Sequence, residues 1–175
     1  MGRESPWHFG SVSKCKGFFH NHGGFRHIID KLKGLNPNAT IVLITPMQRV
    51  DFVYINNFKN NAYGSYKPKK GQTLEAFADA FKAIGIAEGY ETIDLYAHPD
   101  LQHQNLTRFK RLKNPETGIY QDYRYPDFIG LPFDPETDSY PYPTEAIEMT
   151  YDGLHPSDQG NEIIAQALLK VFSKL

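Results

Sequence analysis

The sequence has a single cysteine, no excess of either charge and no long apolar run, and each of these absences removes a class of protein. Cys15 stands alone among 175 residues, which excludes an internal disulfide framework and a zinc site built from several cysteines. A net charge of -1, from 19 Lys and Arg against 20 Asp and Glu residues, gives no field that would attract nucleic acid or an anionic membrane. No stretch approaches the roughly 20 apolar residues that cross a bilayer, so we expect no membrane span.

The length suits one globular domain over residues 1–175. Hydrophobic residues make up 40% of the chain, which supports a packed core and argues against intrinsic disorder. The first residues, Met1 to Pro6, lack the basic-then-apolar order of a signal peptide. A secreted or periplasmic location would therefore require that an upstream leader had been removed.

Apolar residues recur at helical spacing in three stretches. The first predicts a helix from about residue 22 to 33, ended by Gly34. The second follows Thr73, a suitable cap, and ends before Gly85 and Gly89. The third follows Ser157, and its predicted buried face consists of Ile163, Ile164, Ala167, Leu168, Val171 and Phe172.

Two β-branched runs predict strands at residues 40–45 and 92–96. The first run is apolar on both faces, as in a central parallel strand covered by helices. Helix, strand, helix and strand then alternate, which is typical of an α/β fold with right-handed crossovers. We therefore predict a three-layer fold, a parallel sheet flanked by helices.

Residues 97–151 interrupt this rhythm with a segment rich in tyrosine and proline. Two similar stretches within it, 114–120 and 134–140, both predict hairpin turns, and Gly118 supplies the positive φ that such a turn needs. We expect an antiparallel insertion on the main sheet. Its tyrosines offer flat amphipathic faces that could stack on sugars; they are Tyr120, Tyr123, Tyr125, Tyr140, Tyr142 and Tyr151.

The strongest chemical signal comes just before the last predicted helix, where Asp152 precedes His155 by three residues in a glycine-containing loop. Such a loop can fold back so that the carboxylate meets one imidazole nitrogen. The carboxylate then holds the ring in the tautomer whose other nitrogen accepts a proton from a serine hydroxyl. This pattern predicts a general base.

The residues Asp152-Gly-Leu-His155-Pro-Ser-Asp-Gln-Gly-Asn, followed by an apolar helix, resemble the last block of the SGNH, or GDSL-type, serine esterases and acylhydrolases. The run from Thr40 to Pro46, after an Asn-Pro turn, is similar to a strand and exit loop of the same family. The resemblance implies a flavodoxin-like sheet, ester hydrolysis without a cofactor, His155 as the catalytic base and Asp152 as its orienting acid.

The family's Gly-Asp-Ser block and its oxyanion-hole glycine and asparagine have no counterpart in this sequence. Residues 9–44 instead resemble the stretch that follows the asparagine block. We therefore expect a fold that is incomplete at the N-terminus, with the nucleophilic serine outside this chain. Another segment, or a second copy in a homo-oligomer, would then cover the open sheet edge. Ser11 is the best serine within the chain, but its Gly-Ser context is common in ordinary loops.

Three further residues are predicted to contact the substrate. Gln48 and Arg49 follow the first strand at its carboxyl end, where open α/β sheets place ligands. Tyr151 directly precedes Asp152. The expected substrate is an ester, either an acetyl group on a carbohydrate or an acyl chain.

Two other functions stay open. A non-catalytic relative of such a fold could bind glycans through its tyrosines. A metal-dependent hydrolase could use His20, His22 and His27, although no fourth ligand is evident and we favour polar surface histidines. We predict no metal site.

Overall fold

The structure is a computed structural model that describes residues 18–51 and 73–174. It divides the chain into two units, residues 1–40 and 41–175. The prediction of a single domain stays a prediction. In the part of the chain that the structure describes, no helix is both long and apolar enough to cross a membrane.

The first unit contains helix α1, Phe18–Leu35. The helix is longer at both ends than the sequence predicts, and Gly34 does not end it. Asn36 donates its backbone N–H to the carbonyl of Leu32, so the termination signal lies in the Asn-Pro turn that follows. The predicted apolar face is only partly buried, because Ile29 is 4% exposed whereas Ile28 and Leu32 are 55% and 47% exposed.

In the second unit, strands β1 (Val42–Ile44) and β2 (Glu91–Ile93) pair in parallel, with Val42 opposite Glu91 and Ile44 opposite Ile93. Helix α2, Leu74–Glu88, lies between the two strands in the sequence. A mixed α/β fold is confirmed. Within the described residues, however, the parallel sheet has two short strands rather than a complete layer.

The ends of α2 follow the sequence signals closely. The Thr73 hydroxyl accepts a hydrogen bond from the backbone N–H of Ala76, and Gly89 adopts the left-handed conformation at the C-cap. The prediction that Gly85 ends the helix is wrong, because Gly85 is buried within α2. A Cβ atom at Gly85 would collide with the side chain of Thr92, which immediately precedes the last residue of β2.

The predicted insertion forms a hairpin, but among the described residues it is not paired with the β1–β2 sheet. Strands β3 (Lys110–Lys113) and β4 (Tyr120–Tyr123) pair in antiparallel fashion as a separate two-stranded sheet. Gly118 has a φ of 71°, as the turn requires. Before β3, helix α3 spans His103–Leu106.

The second similar stretch, 134–140, forms a turn without flanking strands, so the prediction of a second hairpin is wrong. Asp138 occupies the position that Gly118 has in the first stretch. Its carboxylate accepts hydrogen bonds from the Asp134 backbone N–H and from Lys113. These contacts hold the turn against the end of β3, and no new pair of strands forms around it in the described residues.

Helix α4, Asp158–Phe172, begins where predicted, and the Ser157 hydroxyl accepts from the Gly160 N–H at 3.2 Å. Val171 is buried, but Phe172, at the last helical position, is 55% exposed and does not belong to the buried face. The partly buried residues of α4 pack against the core of the second unit. The buried members of that core are Val50, Ile93, Leu95, Leu101, Leu106, Leu112, Phe128, Phe133, Tyr142, Met149 and Val171.

Candidate active site

The loop that carries Asp152 and His155, residues 150–157, is fixed at both of its ends. Thr150 donates its N–H and its hydroxyl to the carbonyl of Leu106, at 2.9 and 2.6 Å. Tyr151 donates its N–H to the carbonyl of His155, which closes the loop on itself. Ser157 donates its N–H to Met149 and its hydroxyl to Glu148. We refer to residues 150–157 as the dyad loop.

Within this loop the side chain of Asp152 turns back on the backbone. One carboxylate oxygen, Oδ1, accepts from the N–H groups of Leu154 and His155 at 3.0 and 2.8 Å. The other oxygen, Oδ2, lies 2.7 Å from Nδ1 of His155. The sequence-predicted pair is therefore brought together, and the Asp152 side chain supports both the loop and the imidazole.

The electrostatics favour a charged Asp152. Burial raises the pKa of this carboxyl, but the hydrogen bonds from His155 and Leu154 outweigh burial and hold the pKa below its ordinary value. An ionised carboxylate only accepts hydrogen bonds, so Nδ1 of His155 carries the proton. In the neutral imidazole the lone pair then resides on Nε2, on a side chain that is 71% exposed. This arrangement can take a proton from an approaching hydroxyl.

Gly153, between the two residues of the pair, lies directly against residues 50 and 51. Its carbonyl accepts from the Val50 N–H at 2.8 Å. A Cβ atom at position 153 would be 2.7 Å from the backbone nitrogen of Asp51, and φ is 82° here. Only glycine fits this conformation and this close approach without strain.

Gln48 and Arg49, predicted to contact the substrate, make internal contacts. Gln48 is 7% exposed; its amide donates to Tyr96 and Gln102, and its oxygen accepts from the His103 N–H. Arg49 donates from Nε and a terminal nitrogen to the two carboxylate oxygens of Asp51. These bonds give both residues structural roles, and their contact with a substrate stays a prediction.

Two tyrosines near the pair are accessible. The Tyr151 hydroxyl donates to Asp158 at 2.8 Å, and this hydrogen bond raises its pKa. Tyr140, which the sequence analysis did not place in the site, is 65% exposed and packs edge-on against Tyr142. Burial, and after it the charge of Asp152, raises the pKa of Tyr140. The composition of the insertion pointed to its six tyrosines as a group, but nothing in the sequence distinguished Tyr140 from the others.

The other tyrosines of the insertion are engaged within the protein. Tyr142 is buried, and Tyr125 stacks on His103 with ring centroids 5.4 Å apart. The Tyr120 hydroxyl accepts from the Ser139 N–H, and that of Tyr123 donates to Gln121. These contacts favour a packing role over an open row of sugar-stacking faces.

The nucleophile of the predicted mechanism is not seen among the described residues. Ser157 caps α4, Ser173 donates to Lys170, and Ser139 lies in the 134–140 turn, so none of these serines is hydrogen bonded to His155. Ser11 lies outside the described residues. The described region offers no cluster of three or more metal-binding side chains, but the side chains of His20 and His22 lie outside it.

The comparisons with known proteins agree with a lipase-like fold at a coarse level. Neither a family model nor a curated protein matches the chain. A crystal structure described as a possible lipase from Chitinophaga pinensis DSM 2588 is 58% identical, with a TM-score of 0.80. The match covers 88% of this chain and 60% of that protein. The chain thus spans about three-fifths of the length of the solved protein that it resembles.

Proposed function

We propose that the chain carries the general-base half of a serine esterase or acylhydrolase of the SGNH type, with His155 as the base and Asp152 as its orienting acid. The observation that carries this proposal is the 2.7 Å contact between Asp152 Oδ2 and His155 Nδ1 on an otherwise exposed imidazole. The solved protein described as a possible lipase supports a hydrolase at a coarser level.

In this mechanism a serine oxygen attacks the ester carbonyl while Nε2 of His155 removes the hydroxyl proton. The imidazolium, stabilised by Asp152, then gives that proton to the departing alcohol, and an acyl-enzyme forms. Water then attacks the acyl carbonyl while His155 removes one of its protons. The imidazolium returns that proton to the serine oxygen as the serine–acyl bond breaks, which releases the carboxylic acid and regenerates the serine. Asp152 stays ionised throughout because its pKa lies below the ordinary value.

The serine and the oxyanion donors are proposed to come from outside the described residues. Each described serine is accounted for by caps, turns or the helix end, and the SGNH resemblance places these groups in earlier blocks. The same segment would extend the sheet beyond β1 into the three-layer arrangement. Its addition, or a second copy of the chain, would give the edge strand a partner.

The proposed substrate is an ester, an acetyl group on a carbohydrate or a longer acyl chain. Tyr140 and Tyr151 are exposed aromatic side chains beside the pair, and we propose that they contact the alcohol portion of the ester. The same stacking would serve the non-catalytic glycan-binding alternative. That alternative has less support, because the remaining tyrosines are engaged internally.

The test is p-nitrophenyl acetate hydrolysis by this chain and by a version extended with the sequence encoded directly upstream. In whichever version is active, His155→Ala should remove turnover, and Asp152→Asn should lower kcat by about 10⁴-fold, since the wrong tautomer is then favoured. His98→Ala is the matched control, because His98 also lies near a carboxylate, 3.8 Å from Asp100. Undiminished hydrolysis by the His155 variant, or no hydrolysis by either version, would contradict the proposal.

A further inference from the structure

Residues 49–51 form the support on which the dyad loop rests. The Val50 N–H donates to the Gly153 carbonyl, and a Cβ atom at position 153 would be 2.9 Å from the Val50 carbonyl carbon. Two backbones in such close contact move together. A shift of residues 50–51 is therefore transmitted to Gly153, which connects Asp152 to His155.

The side chain of Asp51 fixes this support through charge. Asp51 is 9% exposed, and the Arg49 guanidinium donates to both of its carboxylate oxygens. A two-pronged pair of this kind restricts the orientation of the carboxylate as well as its position. Arg49 and Asp51 are the residues immediately before and after Val50, whose N–H is bonded to Gly153.

A buried lysine on the hairpin lies near enough to Asp51 for their charges to interact. Lys110, on β3, is fully buried, with Nζ 4.1 Å from the ring centroid of Phe128 and 5.7 Å from that of Tyr142. Burial lowers the pKa of Lys110 to about 7, whereas the charge of Asp51 acts in the opposite direction. The Tyr142 hydroxyl in turn donates to the Val50 carbonyl at 3.5 Å. Lys110 is therefore linked to Asp51 by charge, and Tyr142, which lies beside Lys110, is linked to Val50 by a hydrogen bond.

We infer that Asp51, together with Arg49 and Lys110, is a positioning residue that sets the orientation of the Asp152–His155 pair. This inference rests on the proposed function of that pair. Among the described residues, no hydrogen bond or ion pair joins the Asp51 side chain to Asp152 or His155. Asp51 acts through the backbone of residues 50–51 and Gly153. Loss of its charge releases the support, and the imidazole then samples orientations in which Nδ1 is not bonded to Asp152.

The hairpin contains a similar arginine–aspartate pair, and in the described part of the chain no hydrogen bond or ion pair joins it to the dyad loop. Arg111 donates to both carboxylate oxygens of Asp122, at 2.7 and 3.0 Å, on the hairpin. These side chains are 40% and 43% exposed. Asp122→Asn therefore makes the same chemical change in an arginine–aspartate fork, and it separates the loss of an ion pair from the loss of the support.

The experiment is NMR of the full chain with ¹⁵N-labelled histidine, which reports the His155 tautomer and the persistence of its Nδ1–H signal. The wild type should show a protected Nδ1–H signal that Asp152→Asn removes. Asp51→Asn should broaden or remove the signal and mix the two tautomers, and Asp122→Asn should leave it unchanged. Should Asp51→Asn not fold, Arg49→Lys, which keeps the charge but loses the fork, carries the test with a smaller change.

The outcomes separate this inference from the proposed function because the readout does not require catalysis. A wild-type signal that persists in folded Asp51→Asn and Arg49→Lys overturns the positioning role and leaves the pair intact. Absence of the signal in the wild type overturns the pair and this inference together. Equal loss in Asp51→Asn and Asp122→Asn also overturns the inference, since the effect would then be general.

Discussion

The hairpin turn and the dyad loop share the same first hydrogen bonds but differ in what the second polar atom of the leading side chain contacts. In the hairpin turn, Asn114 Oδ1 accepts from the N–H groups of Glu116 and Thr117 at 2.9 and 3.1 Å. In the dyad loop, Asp152 Oδ1 accepts from the next two available N–H groups in the same manner. The Asn114 amide nitrogen then donates to Gln121, whereas the second oxygen of Asp152 binds His155. Asp152 has a second carboxylate oxygen where Asn114 has an amide nitrogen, and this oxygen can orient His155, the role that we propose for it.

The turns differ equally in their surroundings. Gly118 and Gly153 both have positive φ, at 71° and 82°. A Cβ atom at Gly118 would meet nothing within 4 Å, whereas one at Gly153 would meet the backbone of residues 50 and 51. The hairpin turn is thus held by its own residues, and the dyad loop is held by a distant segment. We propose that contact of the second kind sets the geometry of the Asp152–His155 pair.

The largest expected difference between the two turns follows alanine substitution of these glycines. Gly118→Ala should lower the free energy of unfolding by about 1–2 kcal/mol, the cost of a left-handed alanine. Gly153→Ala should lower it by about 2–5 kcal/mol, since the clash adds to the conformational cost. Urea unfolding of both variants measures this. Equal losses would show that the close approach to residues 50–51 has no energetic weight.

The stability of the cluster that supports the dyad loop should also respond to pH, through Lys110. The pKa of Lys110 falls from 10.5 to about 7 on folding because of burial, opposed by Asp51. Between these values the unfolded chain binds more protons, so this lysine makes stability rise with pH, by up to about 1.4 kcal/mol per pH unit.

Urea unfolding at several pH values checks this effect as a difference between wild type and Lys110→Met. The variant should lack this part of the slope, and other titrating groups cancel in the comparison. Parallel pH profiles for the two proteins would refute the assignment to Lys110.

The C-terminal anchor of the dyad loop is expected to contribute an intermediate amount. Ser157 is buried, caps α4 and also donates to Glu148. Thr73 caps α2 from an exposed position, where its hydroxyl accepts from the Ala76 N–H. Ser157→Ala should therefore cost about 1–2 kcal/mol and Thr73→Ala about 0.5–1 kcal/mol. Thermal unfolding compares the two variants. A larger loss of stability for Thr73→Ala would contradict the larger contribution expected of Ser157.

The smallest expected stability effect is that of Asp152→Asn. Asparagine keeps the Oδ1 bonds to the Leu154 and His155 N–H groups, as Asn114 does in the hairpin turn. Only the exposed ion pair with His155 is lost, which is worth about 1 kcal/mol or less. Denaturant unfolding should therefore show a nearly unchanged protein whose proposed activity is severely reduced. A loss comparable to that of Gly153→Ala would mean that Asp152 acts mainly as a structural residue.

The local part of this architecture can be predicted from the sequence. Thr73, Gly89, Ser157 and Gly118 act through neighbours within a few residues, so cap and turn rules place them. The pairing of Asp152 with His155 is of the same local kind. The family resemblance added their proposed roles, which no local rule supplies.

Contacts between residues far apart in the sequence cannot be predicted from cap and turn rules. Lys110 lies in a run that reads as an exposed basic strand, Lys-Arg-Leu-Lys, and its burial depends on aromatic rings at positions 128 and 142. Asp51 and Gly153 are about a hundred positions apart, and their contact follows from tertiary packing. The exposure of Phe172 and the separation of the hairpin from the main sheet likewise depend on which surfaces other segments cover.

The central claim is that His155 activates a serine. Fluorophosphonate labelling followed by mass spectrometry tests it most directly, in this chain and in the upstream-extended version. We predict covalent labelling of one serine in at least one version and its loss in His155→Ala, with His98→Ala labelled like the wild type. Labelling that is unaffected by His155→Ala, or absent from both versions, would contradict the account.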